Sequence, residues 1–190
     1  MTFNNTLEQT FEKLDFSESK FESGDFELCT FIGCSFSNAD LLSCRFLETE
    51  FLDCDFSNCN LWKTAFQEVT FENCKMLGLQ FENCNEFGFE ADFKNCILDH
   101  SSFFKMKLNR CRFESCHLKG VDFTECELKQ VKITNCDLLE ATFERTSLEK
   151  ADFRKSMNYS IDPELNNVRD AIFSLPEVLG LLEKHGIKVS

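Results

Sequence analysis

The groups in this sequence able to do chemistry are thiols, carboxylates and a few imidazoles: twelve cysteines, 33 aspartates and glutamates, and His100, His117 and His185 among 190 residues. Cysteines at suitable spacing form disulfides, hold zinc or exchange electrons. The spacing here suits none of these. No CxxC, HExxH, GxSxG or phosphate-binding glycine loop occurs, so no catalytic residue, metal ligand set or cofactor site is expected. Cys29, Cys34, Cys44, Cys54, Cys59, Cys74, Cys84, Cys96, Cys111, Cys116, Cys126 and Cys136 are instead separated, with one exception, by multiples of five. That interval belongs to the scaffold, which must be read before any site.

A large apolar residue returns at every fifth position from Phe16 to Phe81 and again from Phe93 to Phe153, as in Phe46, Phe51 and Phe56. A helix needs apolar spacing near 3.6 and a half-buried strand needs 2, so neither fits a strict 5. A coil fits, in which each five-residue unit forms one side and turns the chain, with the central residue i pointing to the axis. Position i-2 should then also point inward and be smaller. It holds Ala39, Cys44, Thr49, Cys54, Thr64, Val69, Ala91, Ser101, Val121, Ala141, Thr146 and Ala151 among others, and all twelve cysteines fall there. Positions i-1, i+1 and i+2 are mostly polar. Proline is absent before Pro163, as a ladder that uses every backbone N–H requires.

Asn38-Ala39-Asp40-Leu41 and Lys150-Ala151-Asp152-Phe153 resemble the A(D/N)LXX repeat of the pentapeptide-repeat family, and the likeness extends over about three quarters of the chain. The resemblance implies an all-β fold, a right-handed quadrilateral β-helix with four units per turn, here closed by a C-terminal α-helical cap. The expected organisation is a lead-in over 1–15, a first repeat block over 16–84, an interruption over 85–90, a second block over 91–155 and a cap over 156–190. Four-sidedness stacks Cys34, Cys54 and Cys74 in one column and Cys96, Cys116 and Cys136 in another. Parallel Cβ atoms about 4.8 Å apart exceed the roughly 3.5 to 4.5 Å a disulfide wants, so the thiols are expected free and buried.

The register breaks once, between Cys84 and Ala91, where two extra residues accompany Phe87-Gly88-Phe89. A bulge with Gly88 at its turn accounts for the break, and both phenylalanines are assigned a structural role. After Phe153, Asp162-Pro163-Glu164 and Ser174-Leu175-Pro176-Glu177 read as helix starts. Leu175, Val178, Leu179 and Leu182 then follow at helical spacing, with Gly186 ending the helix before Ile187. Leu175, Val178, Leu179, Leu182 and Ile187 are therefore expected to cap the coil and join two copies into a homodimer.

This tail, with Ile161-Asp162-Pro163-Glu164 and Leu181-Leu182-Glu183-Lys184-His185-Gly186, looks like the C-terminal segment of the Qnr, MfpA and McbG subgroup of the family. That resemblance implies a non-enzymatic mimic of DNA that binds DNA gyrase or topoisomerase IV and modulates it or protects it from quinolones or gyrase toxins. A rigid interaction scaffold with a different partner is the alternative. Charge bears on the choice: residues 1–90 carry 17 acids against five bases, and residues 91–190 carry 16 against 15. Asp15, Glu18, Glu22, Asp25, Glu27, Asp40, Glu48, Glu50, Asp53, Asp55, Glu68, Glu72 and Glu82 all fall at outward positions, so a stiff coil would hold them in rows at about 4.8 Å, a density near that of duplex phosphates.

The second half carries a basic cluster, Lys105, Lys107, Arg110, Arg112 and Lys119, expected either to bind an acidic partner or to pair with Asp99, Glu114 and Glu127. Trp62 and Phe104 fall at i+1, outward, as candidate contacts. With a net charge of -13, direct binding of nucleic acid is not expected. No apolar run is long enough to span a membrane, and Met1-Thr2-Phe3-Asn4-Asn5 has no signal-peptide character, so the expected location is the cytoplasm.

Overall fold

The computed structural model describes residues 5–17 and 23–187. Among these residues eleven short strands are wound in parallel: β1 (Thr6–Leu7), β2 (Thr10–Glu12), β3 (Asp25–Glu27), β4 (Thr30–Ile32), β5 (Arg45–Leu47), β6 (Glu50–Leu52), β7 (Ala65–Gln67), β8 (Val69–Glu72), β9 (Ala91–Lys94), β10 (Arg112–Glu114) and β11 (Lys132–Thr134). They form two sheets, β1-β3-β5-β7 on a first side and β2-β4-β6-β8-β9-β10-β11 on a second. Partners are 20 residues apart, as in Phe31↔Phe51, except across the interruption, where Phe71 pairs with Phe93. Single bridges hold the third side, Asp15↔Ser35↔Asp55↔Lys75↔Ile97↔His117↔Asp137, and the fourth, Asp40↔Asn60 and Gln80↔Ser102↔Asp122. Four units of five therefore make one level of a square β-solenoid.

Most corners are made by one residue in the left-handed region, including Leu28, Glu48, Asp53 and Lys63. That conformation costs an L-residue about 1–2 kcal/mol. The cost is offset by a regular bond: the corner N–H donates to the carbonyl one level away, as from Glu48 to Gln67 (2.9 Å) and from Asp53 to Glu72 (3.0 Å).

The central residues fill the tube. Phe31, Phe51, Phe71, Phe93 and Phe113 stack with centroids 5.0, 5.1, 5.3 and 4.9 Å apart, while neighbouring columns meet edge to face, as Phe51 and Phe56 do at 83°. Both arrangements suit the aromatic quadrupole. The i-2 residues do more than fill space, because their donors reach the carbonyl 23 residues back. Cys54 Sγ–H donates to Phe31 (3.4 Å), Thr64 to Leu41 (2.8 Å), Thr146 to Phe123 (2.8 Å) and Ser156 to Ile133 (2.7 Å). Cysteine, threonine and serine share the position because each is small and donates.

The coil is longer than the repeat pattern alone indicates. The stretch expected as a lead-in already pairs, β1 with β3 and β2 with β4. At the other end the ladder passes Phe153 through Asp137↔Met157, Ser147↔Asn167 and Asp152↔Ile172, and Phe153 stacks on Phe173 at 5.3 Å. Asp162 starts no helix: its carboxylate accepts from Glu164 N–H (2.8 Å) in a turn within the last level. The expected α-helical cap is likewise replaced by short 3-10 turns over Glu177–Leu181 and Glu183–His185. Tertiary contact is the reason. Gly180 lies so close to the coil that a Cβ there would meet the Tyr159 carbonyl at 2.1 Å, and its own carbonyl accepts from Ile161 N–H (3.2 Å). No helix among the described residues is long and apolar enough to cross a membrane.

Candidate interaction surface

Outward placement follows from the alternation along each unit, and the acids take it, with Asp55, Glu72 and Glu82 half-buried and the others described exposed. Glu18 and Glu22 lie outside the described residues. The ladder distributes the others over all four sides. Asp25, Glu27, Glu48 and Glu68 lie on the first, Glu50, Asp53 and Glu72 on the second, Asp15 and Asp55 on the third, and Asp40 and Glu82 on the fourth. The adjacent first and second sides thus carry most of them, together with Glu8 and Glu12, two exposed acids of the same rows that belong to the stretch read as a lead-in.

Some of this charge is neutralised one level away, by Arg45 on Asp25 (4.0 Å), Lys75 on Asp55 (3.4 Å) and Lys94 on Glu72 (3.2 Å). Among the described residues Glu27, Glu48, Glu50, Glu68 and Glu82 make no ion pair, and Asp40 and Asp53 accept only from Asn60 (2.9 Å) and Asn73 (3.1 Å) besides the Leu42 N–H on Asp40 (3.1 Å). Hydrogen bonds from the Ser17 hydroxyl and N–H hold Asp15 below the usual carboxylate range. Burial pulls the Asp55 carboxyl up, but bonds from Ser57 and Lys75 more than offset this and leave it low. Burial pushes Glu82 up.

The basic cluster is consumed by a ladder of ion pairs. Lys105 meets Glu125 (3.5 Å), Lys107 meets Glu127 (3.9 Å), Arg110 meets Glu90 (3.3 Å), Arg112 meets Asp92 (3.8 Å) and Lys119 meets Glu140 (3.8 Å). Of the partners read from sequence, Glu127 takes a side-chain pair, Asp99 accepts the Lys119 N–H (3.0 Å), and Glu114 takes none among the described residues. Nothing in the order of residues singles out Glu90, Asp92, Glu125 or Glu140, since each partner is set by stacking.

The interruption separates its two phenylalanines. Phe89 is buried and meets Phe66 and Phe81 edge to face, as its structural assignment requires. Phe87 does not share that role: it is 82% exposed on a turn braced by Gln67, whose Nε2 donates to the Phe87 carbonyl (3.3 Å). Trp62 is exposed and Phe104 half-buried.

All twelve cysteines are free and buried. The third side runs continuously through the interruption, so the two expected sets of three merge into one column, Cys34, Cys54, Cys74, Cys96, Cys116 and Cys136, closed by Ser156, whose Oγ accepts from Cys136 N–H (3.0 Å). Burial pushes Cys44 up to about 11 and Cys111 up to about 12. Neighbouring thiols and burial together push Cys74 and Cys116 up. His100 and His117 share the third side, but no group of three or more His, Cys, Asp or Glu among the described residues is placed to hold a metal ion.

At the C-terminal end Leu175 is 85% exposed, Leu179, Leu182 and Ile187 are exposed, and Val178 is half-buried. Leu179, Leu182 and Ile187 line a shallow groove with Gly180 and Glu183. Lys184 ties this segment to the coil through Asp162 and through Glu164 (2.9 Å).

Comparison with known proteins matches the sequence profile of pentapeptide repeats over residues 11–46 and 49–85, and that of a pentapeptide repeat region over 80–153. No curated protein sequence matches. Among solved structures, one trypsin-treated variant of QnrB1, described as a plasmid-mediated fluoroquinolone resistance protein, aligns with a TM-score of 0.83 at 16% identity, covering 100% of this chain and 95% of that one. A second trypsin-treated QnrB1 variant aligns with a TM-score of 0.65 at 17% identity, covering 97% and 99%. At this identity the likeness is one of fold.

Proposed function

The chain belongs to the pentapeptide-repeat family, and from that premise we propose that it is a non-enzymatic protein that binds DNA gyrase or topoisomerase IV in place of DNA. Bound there, it modulates the enzyme or protects it from quinolones or gyrase toxins. The observation that carries this reading is the set of carboxylates that make no ion pair among the described residues, Glu27, Glu48, Glu50 and Glu68, held by parallel ladders on two adjacent sides of a stiff rod. An enzyme surface that neutralises phosphates with Lys and Arg meets comparable charge at comparable spacing there. The fold shared with a protein described as conferring fluoroquinolone resistance supports the same reading.

In this proposal Leu175, Val178, Leu179, Leu182 and Ile187 join two copies, placing the acidic halves at the outer ends of a longer rod in the cytoplasm. Apolar side chains this exposed in one short segment favour a covered state. A gyrase supercoiling assay with and without a quinolone tests the function. Inhibition of supercoiling or rescue from the drug, with binding that weakens as salt rises, is the expected result. No binding at low salt, no inhibition and no rescue would reject it.

A second reading, a rigid scaffold for another protein partner, is favoured by one observation. The basic cluster of the second half is neutralised by its own ion-pair ladder, so that half, with 16 acids against 15 bases, presents little net charge, unlike a uniform mimic of DNA. Pull-down of a partner other than a topoisomerase, with salt-insensitive binding, distinguishes it.

A further inference from the structure

The second side changes sign along its length. Its seven-stranded sheet supplies levels one to seven, from β2 through β4, β6, β8, β9 and β10 to β11, and the bridges Lys132↔Asp152 and Asp152↔Ile172 add levels eight and nine. At level three the exposed acids Glu48, Glu50 and Asp53 line the face from corner to corner, with no ion pair among the described residues. Glu50 and Asp152 share one column, so Glu48 and Lys150, each two residues earlier, share a corner, as do Asp53 and Lys155, each three residues later. Lys150 and Lys155 are thus the level-eight counterparts of two acids. Both are exposed, as is Lys132 at level seven, and none of the three makes an ion pair among the described residues. Asp152 does not cancel them, because it is 7% exposed and already neutralised by Arg154 (2.7 Å). The small net charge of the second half therefore conceals a face that is negative towards one end of the rod and positive towards the other.

We infer that the second side is an interface between two copies of this chain, lying side by side and antiparallel about a two-fold axis between β9 and β10. Such an axis, in the plane of the face and across the rod, sets every column against itself in reverse. Level three then lies opposite level eight, so Glu48 meets Lys150 and Asp53 meets Lys155, each contact made twice. Level four lies opposite level seven, which brings Lys132 against Thr70, between Glu68 and Glu72. At the axis Asp92 and Arg112, paired at 3.8 Å within the chain, meet the same pair reversed. Apolar surface matches as well: Ile172, 47% exposed at level nine, falls opposite level two beside Ile32. Parallel alignment would instead set acid on acid at level three, so charge selects the antiparallel pair. This pair differs from the tail-joined dimer, which is held by apolar side chains and leaves the second side open. It also covers Glu48 and Glu50, two of the acids assigned above to a topoisomerase.

Two measurements on the full chain test this. Asp53→Cys combined with Lys155→Cys should be joined into covalent dimers by a short bismaleimide at low salt. Neither single variant should be, because like positions of the two copies lie five levels apart, about 24 Å. The twelve native thiols are buried and do not compete. In analytical ultracentrifugation the parent should associate more tightly at about 0.02 M salt than at about 0.5 M. Glu48→Lys with Asp53→Lys, and separately Lys150→Glu with Lys155→Glu, should each weaken that salt-dependent association at least about tenfold, while an equimolar mixture of the two should restore it, since both reversed contacts become attractive. Gly180→Ala, aimed at the C-terminal segment, should leave it unchanged. Association equal at both salts, a mixture no tighter than either variant alone, or single variants that cross-link as well as the double would overturn the inference. No topoisomerase is present, so the outcome is independent of the gyrase reading.

Discussion

Phe71 and Phe93 stack with centroids 5.3 Å apart and ring planes only 8° from parallel, although 22 residues rather than 20 separate them. The two extra residues are absorbed at the corner that carries Phe87, and the core column passes the interruption unchanged. Phe71→Ala should therefore cost about 3–5 kcal/mol, as for any fully enclosed aromatic. Phe93→Ala should cost about as much, and the double variant less than the sum, because each removes the same ring contact. Urea denaturation of the three variants measures this.

Burial of all twelve thiols has a direct consequence for reactivity. The native protein should leave nearly all of them unlabelled by a thiol reagent, and denaturant should release the full set; rapid labelling of most cysteines in the folded protein would contradict the structure. Within the column, Cys54→Ser keeps a donor for the Phe31 carbonyl and should cost less than Cys54→Val, which removes the donor and crowds Cys34 and Cys74.

Gly180→Ala should dislodge the C-terminal segment while sparing the coil, since the added Cβ meets the Tyr159 carbonyl at 2.1 Å. Protease should then cleave after Tyr159 far faster than in the parent, and size-exclusion chromatography should show loss of the proposed dimer. Gly186→Ala, where nothing lies within 4 Å, should leave both unchanged apart from about 1 kcal/mol of left-handed strain.

The same segment should loosen in acid. The bond from Lys184 holds the Asp162 carboxyl below its ordinary value of 3.8, so the attachment it contributes is complete above that value and is lost as pH falls through the lower folded one. Protease sensitivity of the segment should therefore rise below about pH 4, and Lys184→Met should show that sensitivity already at neutral pH. Glu82 works in the opposite sense: burial raises its carboxyl, which disfavours the charged form in the folded state. Glu82→Gln should leave the Tm at neutral pH unchanged or higher, as differential scanning calorimetry would show.

Charge reversal on the first side separates the two functional readings. Glu48→Lys combined with Glu68→Lys turns one corner row from negative to positive without touching the core. If topoisomerase binding runs through these rows, the double variant should bind at least about tenfold more weakly at low salt and lose inhibition of supercoiling, with an unchanged melting curve. Equal binding would move the contact to another side.

The interval of five was enough to assign inside and outside for nearly every residue from Phe16 to Phe153. Nearly every unit imposes the same left-handed corner and the same inward pair on its own five residues, so the rule is local and repeats in the letters. It placed the thiols in the core and the acids outside. Which residues share a side depends on the level each unit pairs with, and that is a long-range property. Two sets of three cysteines became one column of six only because the insertion shifted pairing by two residues. The C-terminal segment shows the same limit. Leu175, Val178, Leu179 and Leu182 carry helical spacing, but Gly180 packed on Tyr159 and bonded to Ile161 imposes the tighter 3-10 turns, and only the folded coil brings those residues together.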